Sequence, residues 1–222
     1  MIDKVVPSLE AAVAGIRDGA VVMVGGFGSA GQPVALLEAL IAQGAKDLTV
    51  INNNAGNGER GLAALLKTGR VRKIICTFPR QVDSQVFDAL YRAGRIELEV
   101  VPQGNLAERI RAAGAGIPAF YTPTGYGTQL AEGKETRTIG GKPCVLEYPL
   151  HADVALIRAH RADRWGNLVY RKTARNFGPV MATAAACTIA QVDEVVPLGQ
   201  LDPEAIVTPG IFVARVVAPE AA

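Results

Sequence analysis

Apolar residues in the first half of the chain alternate between two spacings. Short, mostly apolar runs predict strands at 20–24, 48–51, 72–78 and 96–101. Between them, apolar residues recur at helical spacing and predict helices at 9–16, 33–41, 62–69, 86–94 and 106–114. Strands that alternate with helices pair mostly in parallel. The pattern therefore predicts an α/β fold with an open, mostly parallel sheet and helices on both faces.

The second half of the chain is rich in predicted loops. The segment 114–135 carries many Gly, Pro, Thr and Tyr residues without a helical period, which is typical of a long functional loop. Strands are predicted again at 143–148, 153–159, 167–172 and 211–217, with one helix of small residues at 179–186. No repeat or linker divides the chain, so a single domain over residues 1–222 is expected.

Composition narrows the class of protein. With 222 residues, 49% of them hydrophobic, the chain can bury one sizeable core. Its net charge of +2 gives no reason to expect a nucleic-acid or membrane partner, and its three cysteines form no zinc or disulfide pattern. The first 19 residues do not resemble a secretory signal, and the apolar runs are shorter than the ~20 residues of a membrane span. A cytoplasmic protein without a metal site is expected.

The loop after the first predicted strand contains the pattern Gly-x-Gly-x-x-Gly. Gly26, Gly28 and Gly31 follow a strand and precede a helix, so backbone N–H groups and the helix N-terminus can face an anion. A dinucleotide site also needs an Asp or Glu after the second strand, but three asparagines stand at 52–54. An NAD site is therefore disfavoured. An anionic ligand and a tight turn without a ligand both stay open.

Four polar loops directly follow predicted strands: the glycine loop, 52–54, 77–81 and 102–105. Ligands of open α/β sheets bind beyond the carboxyl ends of the strands, so these loops should gather at one edge. The loops supply amides, among them Asn53, Asn54 and Gln103, and the cation Arg80. Amide N–H groups stabilise a carbonyl oxygen that becomes negative, so this set favours acyl chemistry.

The same loops offer no convincing nucleophile. Glu59 and Asp83 are interpreted as solvated loop charges, and His151 and His160 stand without a Gly-x-Ser-x-Gly motif. The glycine loop also lacks the Lys-Ser/Thr pair of a P-loop. The basic run at 151–178 is interpreted as a solvated face or a subunit contact rather than a phosphate or RNA site.

Several long blocks resemble the A subunit of the class I (3-oxoacid) coenzyme A transferases. They include DGAVVMVGGFGSAGQP at 18–33, NNAGNGERGLAALL at 53–66 and ADRWGNLVYRKTARNFGPVMA at 162–182. The similarity spans nearly the whole chain and implies the Rossmann-like fold of that family. Within the family, TFPRQVDS and FDALYRAG are more similar to the enzymes that act on 3-oxoadipate. The acetoacetate enzymes usually carry Gly-Glu-Asn where this chain has Pro79, Arg80 and Gln81.

The resemblance implies a ping-pong reaction with two kinds of subunit. A B subunit supplies a glutamate that attacks succinyl-CoA, and CoA passes through a glutamyl thioester to 3-oxoadipate. The Ser-Glu-Asn-Gly type motif that carries this glutamate is absent here, so a B subunit is the expected partner, in an A2B2 heterotetramer. Coenzyme A is a substrate in this scheme, and no cofactor is implied.

The resemblance also assigns roles to residues of the predicted loops. Gln103 matches a side-chain donor of the thioester oxyanion hole, and Asn53 and Asn54 match an amide pair near the acyl group. Arg80 is a candidate clamp for the free carboxylate of a dicarboxylic substrate, because a guanidinium can bind a carboxylate through two hydrogen bonds. Gly104 is grouped with these substrate-binding residues. The expected CoA-binding loop comprises Gly25, Gly26, Phe27, Gly28, Ser29, Ala30 and Gly31.

Two alternative functions stay open on the sequence. One is the same chemistry on acetoacetate, another 3-oxoacid or a short-chain fatty acid. The other is a non-catalytic nucleotide- or CoA-binding module. A sugar-phosphate isomerase is disfavoured because the sequence offers no recognisable acid–base pair.

Overall fold

The computed structural model describes residues 2–80 and 82–219. Its α-helices are α1 Leu9–Val13, α2 Val34–Gln43, α3 Leu62–Lys67, α4 Gln85–Arg92, α5 Gln103–Ala115 and α6 Gly178–Ala184. Its strands are β1 Val21–Val24, β2 Leu48–Ile51, β3 Val71–Cys76, β4 Glu97–Val100, β5 Phe120–Thr122, β6 Thr136–Ile139, β7 Lys142–Glu147, β8 Ala152–Asp163, β9 Leu168–Val169, β10 Ala185–Val196 and β11 Arg215–Val217. Short 3₁₀ helices lie at Gln129–Ala131, Lys172–Arg175, Pro203–Ala205 and Gly210–Phe212. No helix in this part of the chain is long and apolar enough to cross a membrane.

The main sheet confirms the predicted architecture. Its strand order is β11-β10-β8-β1-β2-β3-β4, with β9 paired to β8. Every pair along this path is parallel, and only the β8–β9 pair is antiparallel. The chain builds outward from β1 to β4 and later adds β8, β10 and β11 on the other side of β1. The loop after β1 therefore lies at a topological switch point, where open α/β sheets bind ligands.

Helices cover both faces of the sheet, as predicted. Successive residues of a strand point to opposite faces. Val22 of β1 accordingly joins a buried cluster with residues of α1 to α4, such as Leu36 and Leu65. Met23, the next residue, joins a second cluster with Leu106 of α5 and Met181 of α6. The two cores therefore lie on opposite faces of the sheet.

Strands β8 and β10 extend beyond the carboxyl edge of their neighbours. β1 ends opposite Leu156, whereas β8 continues to Asp163. β10 follows β8 along this extension, and β9 folds back onto it. We call this extension, residues 157–170 and 190–196, the arm. It stands beside the loop that follows β1.

The sequence pattern does not predict β10. It predicts a helix at 179–186, but α6 ends at Ala184 and β10 begins at the next residue. The apolar run of β10 is interrupted by Gln191, Asp193 and Glu194. Gln191 and Asp193 have partners on other elements, described below, and these tertiary contacts outweigh the local pattern.

The predicted loop at 102–105 is wrong in part, because α5 begins at Gln103. Gly104 and Asn105 have low helix propensity. Asn105 is nevertheless buried, and its Nδ2 donates to the Glu147 carboxylate at 3.2 Å and to the Thr124 carbonyl at 3.3 Å. These contacts hold the first turn of the helix in place.

A small antiparallel sheet, β5-β7-β6, packs beside the main body. The region 114–135 otherwise contains one 3₁₀ helix and irregular chain, close to the predicted loop. Glu147 of β7 is buried and lies 2.8 Å from Lys134 Nζ and 3.8 Å from Arg109 Nε. Arg109 in turn lies 3.1 Å from Glu99 of β4. This ionic network attaches the small sheet to β4 and α5.

Candidate functional site

The carboxyl ends of β1 to β4 bring the predicted polar loops to one edge. Backbone hydrogen bonds continue past the strand ends, from Asn52 N–H to Ile75 (3.1 Å), from Thr77 N–H to Asn53 (3.1 Å) and from Val101 N–H to Cys76 (2.9 Å). The loops after neighbouring strands are therefore held side by side. The prediction that they gather at one edge is confirmed.

The three asparagines after β2 are almost fully buried, each about 1% exposed. Asn52 is structural, since its Nδ2 donates to the Val24 carbonyl at 2.6 Å and its Oδ1 accepts from Asn54 N–H at 2.8 Å. Asn54 Oδ1 accepts from Gly56 N–H at 2.9 Å. Asn54 Nδ2 is buried and donates to no acceptor among the described residues. A buried donor without a partner is rare and suits a bound acceptor.

Asn53 and Gln103 are in direct contact. Gln103 Nε2 donates to Asn53 Oδ1 at 2.7 Å, and the Thr77 hydroxyl lies 3.0 Å from the same oxygen. Thr77 also donates to the Asn53 backbone carbonyl at 2.9 Å. The contact uses one N–H of the Gln103 amide and leaves its second N–H for another acceptor. The structure thus joins two residues that are 50 positions apart in the sequence.

Arg80 and Gly104 lie at the exposed rim of this edge. Arg80 Nη2 is 2.6 Å from Asp88 Oδ1, and Arg92 Nε is 2.8 Å from the other oxygen of Asp88. Arg80 is thus held by α4, with more than half of its side chain exposed. Gly104 is exposed in the first turn of α5, with open space where a Cβ atom would be. Gln81, the last residue of the predicted 77–81 loop, lies outside the described residues.

The glycine loop, residues 25–31, is a tight turn with an exposed tip. Gly26, Gly28 and Gly31 have φ values of 118°, 61° and 73°, which favour glycine. Phe27 and Ala30 exchange two backbone hydrogen bonds across the turn. The N–H groups of Gly28, Ser29 and Gly31 donate to no backbone acceptor within residues 2–80 and 82–219. Gly28 and Ser29 also line a cavity of about 340 Å³ shared with Asn57 and Arg60.

The N-terminus of α2, which the sequence offers as one part of an anion site, already faces a side-chain acceptor. The N–H groups of Ala35 and Leu36 point to Gln191 Oε1 of β10, at 3.1 and 3.4 Å. That side chain satisfies donors that a phosphate would need. The third glycine has a packing role as well, because a Cβ atom on Gly31 would overlap the Ala174 carbonyl oxygen.

Asn176 is a residue of this region that the sequence analysis did not single out. Its Oδ1 accepts from Gly26 N–H at 3.2 Å, and its Nδ2 donates to the Ala30 carbonyl at 2.9 Å. Asn176 is 150 positions from Gly26 in the sequence. Periodicity carries no signal for such a contact, although Asn176 lies within a block that resembles the family.

The arm places a cluster of charged side chains beside the glycine loop. Asp193 of β10 lies 2.9 Å from Arg158 Nη2 and 3.0 Å from His160 Nδ1. Burial raises the pKa of Asp193, but the hydrogen bonds from His160 and Arg158 outweigh burial and hold it below its ordinary value. A cavity of about 320 Å³ separates these residues from Ser29 and Lys172. The His160 side chain is therefore engaged in a contact with Asp193 within the arm.

Glu59 and a cavity at the amino edge of the sheet are not part of the amide cluster. Glu59 is exposed and forms an ion pair with Lys67 at 3.1 Å, which confirms its interpretation as a solvated loop charge. A cavity of about 560 Å³ lies at the amino edge of the sheet, beside Arg17, Asp153 and Arg215. It contains none of the predicted site residues, so the carboxyl edge is the better candidate site.

The chain is similar to several known proteins. The chain is 71% identical over 218 residues to the A subunit of the 3-oxoadipate CoA-transferase of Pseudomonas putida, covering 98% of this chain and 94% of the relative. It is 66% identical over 217 residues to the A subunit of the enzyme of the same name from Acinetobacter baylyi, covering 98% and 95%. An acyl-CoA transferase from E. coli O157:H7, solved as a thioester complex with CoA, matches with a TM-score of 0.84 at 23% identity. That match covers 98% of this chain and 47% of the other, so this chain spans about half of that structure.

The fold and these relatives place the chain in a class of enzymes that transfer CoA between acyl groups. A family model for coenzyme A transferase matches residues 6–219. The chain belongs to the coenzyme A transferase family, which confirms the resemblance found in the sequence. Both relatives are named as the A subunit of their enzymes, and this name implies a second kind of subunit.

Proposed function

We propose that this chain is the A subunit of a 3-oxoadipate CoA-transferase, which moves CoA from succinyl-CoA to 3-oxoadipate. The observation that carries the proposal is the set of buried amides at the carboxyl edge of the sheet. The names of the two relatives support the choice of acid. Acetoacetate and other short acids are the alternative acceptors within the same chemistry.

The proposed reaction exchanges acyl bonds in two balanced half-reactions. The partner B subunit supplies a glutamate carboxylate, which attacks the thioester carbonyl of succinyl-CoA; the C–S bond breaks, and an acyl anhydride and CoA thiolate form. The thiolate attacks the glutamyl carbonyl of the anhydride, releases succinate and leaves a glutamyl-CoA thioester. The carboxylate of 3-oxoadipate then repeats these steps in reverse and removes CoA. CoA is a substrate throughout, and no cofactor takes part in this scheme.

The amides have a defined task in this scheme. Each addition to a carbonyl places negative charge on its oxygen, and fixed donors that face this oxygen lower the barrier. The second N–H of the exposed Gln103 side chain is the donor we assign to this oxygen. Asn54 Nδ2, which is buried without an acceptor among the described residues, lies behind it in the same run of amides. Asn53 orients Gln103 through their mutual hydrogen bond.

The glycine loop is assigned to CoA. Its tip is exposed, and the N–H groups of Gly28 and Ser29 have no backbone acceptor in the part of the chain that the structure describes. Such groups can bind the polar atoms of an extended ligand. The anion-binding role thus moves from the start of α2, which Gln191 occupies, to the tip of the loop.

The nucleophile is assigned to the partner subunit. The amide cluster presents Asn, Gln and Thr side chains, while Glu59 forms an exposed ion pair with Lys67. At this edge, a carboxylate supplied by a B subunit would complete the site. We place the two kinds of subunit in an A2B2 heterotetramer, as the sequence resemblance implies.

Intact-mass spectrometry tests this function. The native complex purified through this chain is exposed briefly to succinyl-CoA, and its polypeptides are weighed. We expect a CoA-sized adduct on a second polypeptide and none on this chain. A sample treated with free CoA is the control, because CoA without an acyl group cannot form the anhydride. An adduct on this chain, or CoA binding without any adduct, would contradict the proposal.

A further inference from the structure

The glycine loop has an exposed tip and a buried base. Phe27 and Ala30 exchange backbone hydrogen bonds of 3.0 and 3.2 Å at the tip. Gly26 at the base is buried, whereas Phe27 and Ser29 are exposed. The two bonds shape the turn but do not attach it to the rest of the protein. The position of the tip therefore depends on what holds the base.

The side chain of Asn176 holds this base with all of its hydrogen-bonding capacity. Oδ1 accepts from the backbone N–H groups of Gly26 at 3.2 Å and Phe177 at 2.7 Å. Nδ2 donates to the backbone carbonyls of Ala30 and Thr173, both at 2.9 Å. All four partners are backbone groups with a fixed donor or acceptor role, so they also determine which way the amide faces.

This set of contacts requires an amide of this length. Aspartate has two acceptor oxygens and, when ionised, no donor; serine has one hydroxyl; alanine makes no side-chain hydrogen bond. Glutamine would place the same amide one methylene further from the backbone. The length and the amide group of Asn176 thus fit the distance between the glycine loop and residues 173–177.

The segment that carries Asn176 fits closely against the loop. Lys172 has a φ of 51°, in the left-handed region that residues with side chains rarely adopt. Ala174 lies so close to Gly31 that a Cβ atom there would overlap its carbonyl oxygen. Strained conformations persist where the surrounding structure fixes them. The glycine loop and residues 171–177 therefore pack as one unit, and the Asn176 side chain connects them by hydrogen bonds.

We propose that Asn176 is a positioning residue that fixes the glycine loop in its CoA-binding conformation. It acts through Gly26 and Ala30, and thereby sets where the N–H groups of Gly28 and Ser29 meet CoA. This inference rests on the proposed function, which assigns the loop tip to CoA. It adds a residue from the far half of the chain to the binding of the acyl-CoA substrate.

The test compares Asn176→Ala with Asn167→Ala in the complex with the B subunit. Asn167 is a matched control, because its Oδ1 accepts from Gly210 N–H at 2.8 Å and its Nδ2 donates to Asp163 at 2.8 Å, and neither partner belongs to the glycine loop. Two quantities are measured for each complex. They are kcat/KM for succinyl-CoA and the hydrogen–deuterium exchange of a peptide that covers residues 25–31.

We expect Asn176→Ala to lower kcat/KM for succinyl-CoA by about 10- to 100-fold, since small misplacements of binding groups have effects of that size. Exchange at 25–31 should accelerate in this variant only. The Asn167→Ala complex should keep kcat/KM within about threefold of wild type. Equal losses in both variants, or unchanged exchange in Asn176→Ala, would overturn the proposal.

An isosteric variant covers the case in which Asn176→Ala fails to assemble. Asn176→Asp keeps the two accepting bonds, but it turns the carboxylate's other oxygen toward the Ala30 and Thr173 carbonyl oxygens, which repel it. We therefore expect the same two quantities to change in the same direction as in Asn176→Ala. Wild-type values of both would overturn the proposal. The exchange measurement does not depend on catalysis. A wild-type complex without transferase activity would therefore refute the proposed function while the exchange result still decides the role of Asn176.

Discussion

At the scale of single residues, Gln103 has the clearest predicted effect on catalysis. One N–H of its amide is bound to Asn53, and the other is proposed to bind the thioester oxygen as charge develops there. Removing one such donor typically slows the chemical step by about 10²- to 10³-fold. We expect Gln103→Ala to lower kcat by this factor in an intact complex, as measured by steady-state CoA transfer.

A second glutamine provides the control for this variant. Gln85 is also an exposed first residue of a helix, α4, and Gln85→Ala should leave kcat within about twofold of wild type. A loss of less than about threefold in Gln103→Ala would remove Gln103 from the oxyanion site.

Arg80 is the residue from which we expect selectivity between acids. Its Nη2 atom lies 2.6 Å from the Asp88 carboxylate, so Asp88 competes with a substrate carboxylate for this guanidinium. Hydrogen bonds to charged groups contribute about 1.5–3 kcal/mol, or about 10- to 150-fold. We expect Arg80→Ala to reduce the preference for 3-oxoadipate over acetoacetate by about tenfold or more, measured as the ratio of kcat/KM values.

Arg92→Ala is the matched control for Arg80. Arg92 pairs with the other oxygen of the same Asp88 but extends from the last turn of α4. Both variants remove one cation from this carboxylate, so an effect through Asp88 alone would appear in both. A preference that is unchanged in Arg80→Ala, or equally reduced in Arg92→Ala, would rule out the clamp.

Sequence reasoning found the residues that follow strands and missed those that reach in from elsewhere. Asn53 and Gln103 were predicted because strand ends converge, and the structure joins them at 2.7 Å. Asn176 and Gln191 contact the glycine loop and α2 from about 150 positions away. Such contacts depend on how β8 and β10 pack, and no local pattern encodes that.

At the scale of elements, Gln191 stabilises the N-terminus of α2. Its Oε1 faces the N–H groups of Ala35 and Leu36, and Pro33 at the N-cap supplies no side-chain acceptor. Losing a helix cap or a buried acceptor costs about 1–2 kcal/mol. We expect Gln191→Ala to lower the melting temperature by about 2–8 °C.

The control for this prediction is Gln200→Ala, at an exposed position after β10. Its melting temperature should stay within about 1 °C of wild type, because exposed substitutions away from such contacts change stability little. Thermal unfolding of the purified protein measures both. Equal melting temperatures for the two variants would show that α2 does not depend on this cap.

Most elements of the first half could be predicted because their strands are short and mostly rich in apolar residues. The pattern fails where tertiary contacts replace the local signal. β10 carries Gln191 and Asp193, whose partners lie on α2 and β8, and the start of α5 depends on the Asn105 contact with Glu147. In both cases the missing information is the identity of the partner element.

At the scale of the whole molecule, the ionic network around Glu99 links β3, β4, α5 and the small sheet. Lys73 Nζ lies 2.6 Å and Arg109 Nη1 3.1 Å from the Glu99 carboxylate. Burial raises the pKa of Glu99, but the hydrogen bonds from Lys73 and Arg109 outweigh it and leave the pKa below its ordinary value. The carboxylate therefore stabilises the folded state in its charged form.

The sign of this shift fixes the pH dependence. Because the pKa is lower in the folded state, the contribution is complete above the unfolded value of about 4.3 and is lost as pH falls through the folded value. Glu99 is partly exposed, so we expect Glu99→Gln to cost at most about 1 kcal/mol at pH 7, or about 2–4 °C. This difference from wild type should shrink as the pH falls below about 4.

The exposed Glu38→Gln variant controls for the loss of one carboxylate, and thermal unfolding from neutral to acidic pH measures all three proteins. A Glu99→Gln difference that stays constant with pH would show that the network does not depend on this charge.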